Sequence, residues 1–220
     1  MQTEAVWRAL PRKIREVLAE KDLHDLQEIR LRSGQPLLLK RENRLFSLGK
    51  EGAFLPAADE KGMRISMADL RETVSLLSGY SLYAFEEELR QGYLTIEGGH
   101  RVGFCGKAVL ENGEIRTLRQ INALNIRIAR ERKGWGETLL PLLLEKNTLC
   151  HTLIVSPPGC GKTTLLRDLI RCLSERGKTV GVVDERGEIA PLRDGMPQMD
   201  VGPCTDILEG CPKAKGMTLL

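Results

Sequence analysis

Aromatic residues are scarce in this 220-residue chain: Phe, Tyr and Trp together make up 4%. Any core must therefore be built from Leu, Ile, Val and Ala. Histidine is nearly absent. His24, His100 and His151 are the only three, and none has ligand spacing to a cysteine pair, which argues against a zinc site. Cys105, Cys150, Cys160, Cys172, Cys204 and Cys211 are scattered without a Cys-x-x-Cys pair. Reduced thiols are expected, as in a cytoplasmic protein. Neither sign of charge dominates: 33 Lys and Arg face 30 Asp and Glu, a net +3. That balance is too small to point to nucleic acid or an anionic membrane. No apolar run approaches the ~18 residues of a membrane span, and the longest, Leu139 to Leu144, contains Pro141. The N-terminus lacks a signal-peptide pattern. The expectation is a soluble protein that reaches a membrane only through partners.

What is present reads as globular: 41% hydrophobic and 29% charged residues. The length allows one large domain or two small ones. We place a boundary at the charged stretch Arg130 to Glu137, giving an N-terminal α+β domain over 1–132 and a second domain over 133–220. In the first, Leu10, Ile14, Val17 and Leu18 share a helical face after Pro11. Strands are expected at Glu28–Arg32 and Leu37–Lys40. Ser66 with Asp69 marks a capping box before a helix, and Ser81–Arg90 forms another helix. Gly98-Gly99 and Asn112-Gly113 are hairpin signals. Strands are then expected near Arg101–Leu110, Glu114–Leu118 and Leu124–Ala129. The second domain reads as a helix (Thr138–Lys146), an apolar strand (Thr152–Val155), a Gly/Pro loop, a helix and a buried strand (Thr179–Val183). This is the opening of a parallel α/β sheet.

The loop between strand and helix carries the chemistry. Ser156 to Thr164 read S-P-P-G-C-G-K-T-T, close to the phosphate-loop pattern G-x-x-x-x-G-K-[ST], with Ser156 in place of the first glycine. Pro158, Gly159, Cys160, Gly161, Lys162, Thr163 and Thr164 form the candidate ATP-binding set. Main-chain amides and the helix N-terminus would meet the phosphates. Lys162 would reach the β- and γ-phosphates, and the Thr163 hydroxyl would ligate Mg²⁺. Asp184 and Glu185 end the next apolar strand. Either Asp184 supports Mg²⁺ at a Walker B strand with Glu185 polarising water, or the pair is a separate acidic box and Walker B lies later. Strand order favours the second. Arg101, Arg119, Arg127 and Arg130 are candidate arginine fingers in an oligomer. The chain is expected to stop inside its ATPase domain.

The stretches EIRLRSGQPL, YAFEEELRQGYLTIEGGHRVGFCGKAV, LNIRIARE, SPPGCGKTTLLRDLIR, VVDERGEIA and DILEGCPKAKGM resemble the stage III sporulation protein AA family. That family comprises ATPases of endospore-forming bacteria and is itself similar to type II and type IV secretion ATPases. The resemblance implies an N-terminal α+β domain, a RecA-like core and a hexameric homo-oligomeric ring. It implies that Gly159–Thr164 hold ATP, that Asp184-Glu185 is the acidic box, and that the Walker B segment is absent from this chain. It further implies action in the mother cell, at the forespore membrane, energising or assembling a secretion-like channel through membrane partners. A nucleic-acid-translocating ATPase is the rival from another class, against which the near-neutral charge counts. A non-hydrolytic, nucleotide-gated scaffold is the third reading.

Overall fold

The computed structural model describes residues 4–19, 24–49, 51–79, 86–146, 148–157 and 160–220. The chain divides into two compact units, Met1–Ala129 and Arg130–Leu220.

The first unit is built on one antiparallel sheet. Two helices, α1 (Glu4–Arg8) and α2 (Arg12–Ala19), lead to β1 (Leu26–Arg32), β2 (Leu38–Arg41), β3 (Arg44–Leu48) and β4 (Phe54–Pro56). Helices α3 (Met67–Leu77) and α4 (Glu86–Gln91) follow, then β5 (Tyr93–Ile96), β6 (His100–Glu111) and β7 (Glu114–Arg127). The strand order is β4-β3-β2-β1-β7-β6-β5. Alternation in β1, β6 and β7 buries Ile29, Leu31, Val102, Phe104, Leu124 and Ile126 on one face. There they join Leu10, Ile14 and Leu18 in one aliphatic core. This is the arrangement expected of a chain poor in aromatics. Asn112 (φ 53) and Gly113 (φ 83) form the two-residue turn of the β6–β7 hairpin, closing the Glu111–Glu114 pair. The two strands expected at 114–118 and 124–129 are one strand, β7. Register shifts in its ladder with β6 and a left-handed Gln120 (φ 47) absorb the irregularity between them without breaking the pairing. Of the helix expected over 81–90, residues 81–85 lie outside the described set.

Ser66 caps α3 as expected. Its hydroxyl accepts from the Asp69 amide at 3.2 Å, and Asp69 Oδ2 accepts from the Ser66 amide at 2.7 Å. Lys13 Nζ reaches the same carboxylate oxygen at 2.6 Å. Burial pushes the Asp69 carboxyl up, but Lys13 and the Ser66 donors outweigh it and hold it below the ordinary value. Ser66→Ala is expected to cost about 1 kcal/mol, read as a lower urea midpoint at unchanged slope.

The second unit contains α5 (Trp135–Leu143), a short β8–β9 pair (Leu144–Glu145 and Thr148–Leu149), α6 (Lys162–Glu175) and β10 (Val180–Asp184). A β11–β12 pair (Leu192–Arg193 and Met196–Pro197), β13 (Thr205–Glu209) and α7 (Lys213–Gly216) complete it. Among the described strands, β10 and β13 are the one parallel pair. The fold is thus α/β, with its main sheet antiparallel. The strand expected at Thr152–Val155 does not form: the segment pairs with no other strand, and Leu153 and Val155 are exposed. A strand exists only through its ladder, and apolar character alone supplies no partner.

Helix α6 is the spine of this unit. Leu169, Cys172 and Leu173 pack with Leu140 of α5, while Ile170 packs with Val182, Ala190 and Val201. Contact between α5 and α6 depends on Gly136, where a Cβ would stand 2.7 Å from the Asp168 main-chain carbon. Gly136→Ala must push the helices apart and is expected to cost about 1–3 kcal/mol, measurable as a lower denaturation midpoint.

Candidate functional site

Gly161 (φ 84) adopts the left-handed conformation and ends the loop, and α6 begins at the next residue, Lys162. Gly161 at the N-cap has no side chain with which to cap this helix start. The Lys162 ammonium donates to the main-chain oxygens of Ser156 (2.7 Å) and Pro157 (3.0 Å), with the Ser156 hydroxyl at 3.4 Å. All three partners are neutral. Among the described residues no carboxylate is bonded to Lys162, so its charge is uncompensated beside a helix N-terminus that also carries positive potential. Thr163 and Thr164 lie half-buried in the first turn, and Cys160 is exposed. Pro158 and Gly159 lie outside the described residues.

The acidic pair splits. Successive side chains on a strand point to opposite faces, and Asp184, at the end of β10, turns inward. Its Oδ1 accepts from the Glu188 amide (2.9 Å), and its Oδ2 from the amides of Ile189 (2.8 Å) and Ala190 (2.9 Å). Three main-chain donors occupy that carboxylate. Glu185 turns outward and pairs with Lys213 Nζ at 3.3 Å. The structure therefore separates the two acids by role: one folds the loop and one faces solvent.

Two further groups hold the same loop. Glu209 is the register partner of Asp184 across β10–β13, and its Oε2 accepts from the Leu192 amide at 3.0 Å. Burial pushes its carboxyl up against the pull of that amide. Arg167, on α6, donates to main-chain oxygens of residues 188 and 189. Sequence patterns missed both. The available signal was a charged residue, Arg167, on the buried face of a helix.

The candidate arginines are dispersed. Arg101 and Arg127 are register partners on β6 and β7, and the Arg101 guanidinium lies 3.5 Å from the centre of the Tyr93 ring. Arg119 stands opposite Lys107, further along the same ribbon. Arg130 opens the second unit. No helix among the described residues is long and apolar enough to cross a membrane.

Fold and site together define a two-unit α/β protein whose second unit presents a glycine-bearing loop and, at the start of a helix, a lysine bonded to neutral oxygens. The chain belongs to the family Sporulation stage III, protein AA, whose family model matches residues 1–220. It is 41% identical over 220 residues to Stage III sporulation protein AA of Bacillus subtilis (strain 168), covering 96% of this chain and 67% of that protein. Solved structures similar to it include the Legionella pneumophila ATPase DotB, at 17% identity, TM-score 0.44, and coverage of 91% of this chain and 52% of that one. The pilus retraction motor PilT with bound ADP is similar at 16% identity, TM-score 0.47, and coverage of 90% and 52%. The chain spans about half the length of these two structures.

Proposed function

We propose that this sporulation stage III protein binds ATP at residues Pro158–Thr164 and contributes the phosphate-binding half of a Mg²⁺-dependent ATPase. The observation that carries the reading is the lysine itself: a cation held by neutral oxygens, at a helix start whose N-cap is glycine, with no carboxylate bonded to it among the described residues. Such a place favours a compact polyanion over any neutral ligand. The loop amides and Lys162 orient the phosphates. The Thr163 hydroxyl would hold Mg²⁺, which when bound neutralises charge on the phosphates. Glu185, exposed beside the loop that Asp184 folds, would orient water once released from Lys213. We read the unit as an incomplete RecA-like domain. An apolar groove of about 550 Å³ lies along α6, bordered by residues 149–152, by Ile154 and by β10, where further strands would pack.

At the level of the assembly, we propose a homo-oligomeric ring, hexameric as in the resemblance, acting in the cytoplasm at the mother-cell face of the forespore membrane. There it would energise or assemble a channel through membrane partners. Arg101 and Arg127, adjacent on one sheet, are the candidates to act on a neighbour's phosphates. The commitment of Asp184 to main-chain donors favours one second reading, a nucleotide-gated scaffold that binds without hydrolysis.

Calorimetric titration of the chain with MgATP tests the site. Saturable binding is expected, and its absence ends the proposal. Turnover of the assembled full-length protein separates motor from scaffold. Salt-dependent binding of single-stranded DNA would instead favour a nucleic-acid translocase.

A further inference from the structure

The loop that follows β10 is gripped from two sides by buried side chains of opposite charge. Asp184, 3% exposed, takes the amides of Glu188, Ile189 and Ala190. Arg167, 9% exposed, takes the carbonyls: Nε donates to Ile189 O at 2.5 Å and Nη2 to Glu188 O at 2.7 Å. Its Nη1 lies 3.4 Å from Arg130 O. Residues 188 and 189 thus have both their N–H and their C=O groups held by buried ionisable side chains.

Burying a guanidinium against neutral carbonyls is costly, and an apolar residue of similar volume usually packs as well or better. Burial lowers the Arg167 pKa, against the favourable charges of Glu131 and Asp184. Packing therefore does not explain an arginine here. Its position does. Arg167 stands five residues after Lys162 on the same helix, about 7.5 Å along the axis, and the segment it holds runs straight from the exposed acids Glu185 and Glu188.

We propose that Arg167 is a positioning residue that tethers the acid-bearing loop to the phosphate-loop helix, with Asp184 as the opposing grip. Glu185 and Glu188 then keep a set place relative to Lys162, and occupancy of the phosphate loop is passed along α6 to the acids. This rests on the nucleotide reading above. The device belongs to neither the phosphate loop nor the acid pair taken alone.

Amide hydrogen exchange of the 220-residue chain, resolved by residue, tests it. Parent, Arg167→Met and Arg167→Lys are compared with and without MgADP. In Arg167→Met, the amides of Glu188, Ile189 and Ala190 are expected to exchange about tenfold faster, while those of α5 stay unchanged and MgADP affinity holds. In the parent, MgADP slows these three amides, and in Arg167→Met that response disappears. Arg167→Lys, which keeps the charge but not the fork, falls between, and it carries the test if the Met variant does not fold. Unchanged exchange in Arg167→Met, or an equal MgADP response in parent and variant, overturns the proposal. If the parent binds no MgADP, the phosphate-loop reading fails instead. The tether is then judged on the free protein, where faster exchange upholds it and unchanged exchange removes it.

Discussion

Replacing Lys162 with Ala is expected to weaken MgATP binding by about thirty- to a hundredfold, the worth of one charge-assisted contact of about 2–3 kcal/mol. The fold should barely notice. In the free protein the ammonium bonds to main-chain oxygens of Ser156 and Pro157 at the surface end of α6, whereas the cores formed by Leu169, Cys172 and Ile170 lie further along the helix. A polyphosphate entering the loop takes the lysine from two neutral carbonyls and gives it a charged partner. The gain lies in that exchange. Lys162→Arg is expected to recover only part of the affinity, because a planar fork does not replace a point charge in a tight loop. Titration calorimetry with a parallel melting curve reads both effects. Unaltered affinity in Lys162→Ala would mean that the phosphates bind elsewhere.

The largest effect on stability should come from Asp168→Ala. Asp168 Oδ1 accepts from Arg171 Nε at 2.9 Å and Nη2 at 2.7 Å, and Oδ2 accepts from the Gly136 amide at 2.7 Å. Side-chain exposure is 2% for Asp168 and 6% for Arg171. Removing the carboxylate strands a buried guanidinium and a buried amide together, at a cost of about 3–5 kcal/mol. That is a large share of the ~5–15 kcal/mol typical of a folded protein. The exposed acids Glu137 and Glu175 also touch Arg171 and soften the loss without replacing the buried contact. Trp135 opens α5 beside this network, so its fluorescence during urea unfolding is the natural probe. Asp168→Asn, which keeps an acceptor for Gly136, should cost less.

The same carboxyl sets a pH dependence. Burial raises its pKa, but the Gly136 amide and Arg171 more than compensate, leaving it below the ordinary 3.8. A depressed carboxylate contributes fully above its unfolded value and loses that contribution as pH falls through the folded one. The stability gap between the parent and Asp168→Asn, where nothing titrates, should therefore be widest above the ordinary carboxylate range and close as pH falls through the folded pKa, read from urea midpoints across pH.

Features written within a few residues were legible. Ser66 and Asp69 announce a capping box because both partners lie in one turn, and Asn112-Gly113 announces its hairpin because both positions need positive φ. Lys162 after Gly161 announces a helix start for the same local reason. Features that need a distant partner were not. Residues 152–155 read as a buried strand, yet burial and pairing depend on what lies alongside. Asp184 and Glu185 read as a pair, yet the amides of residues 188–190 claim one of them. Arg167 showed only as a charge on the apolar face of its helix; its role was not legible, because its carbonyl partners come from a loop 21 and 22 residues downstream.

By itself the sequence determined the aliphatic core, the capping box at Ser66, the hairpin at Asn112-Gly113 and the helix start at Lys162, since side-chain size, turn propensity and charge act over a few bonds. Only the tertiary structure decided which acid faces solvent, that Arg167 and Arg171 are buried, and that one long strand replaces two. Those outcomes depend on hydrogen-bond partners brought together by folding, and the free energy of a buried charge is set by its neighbours in space.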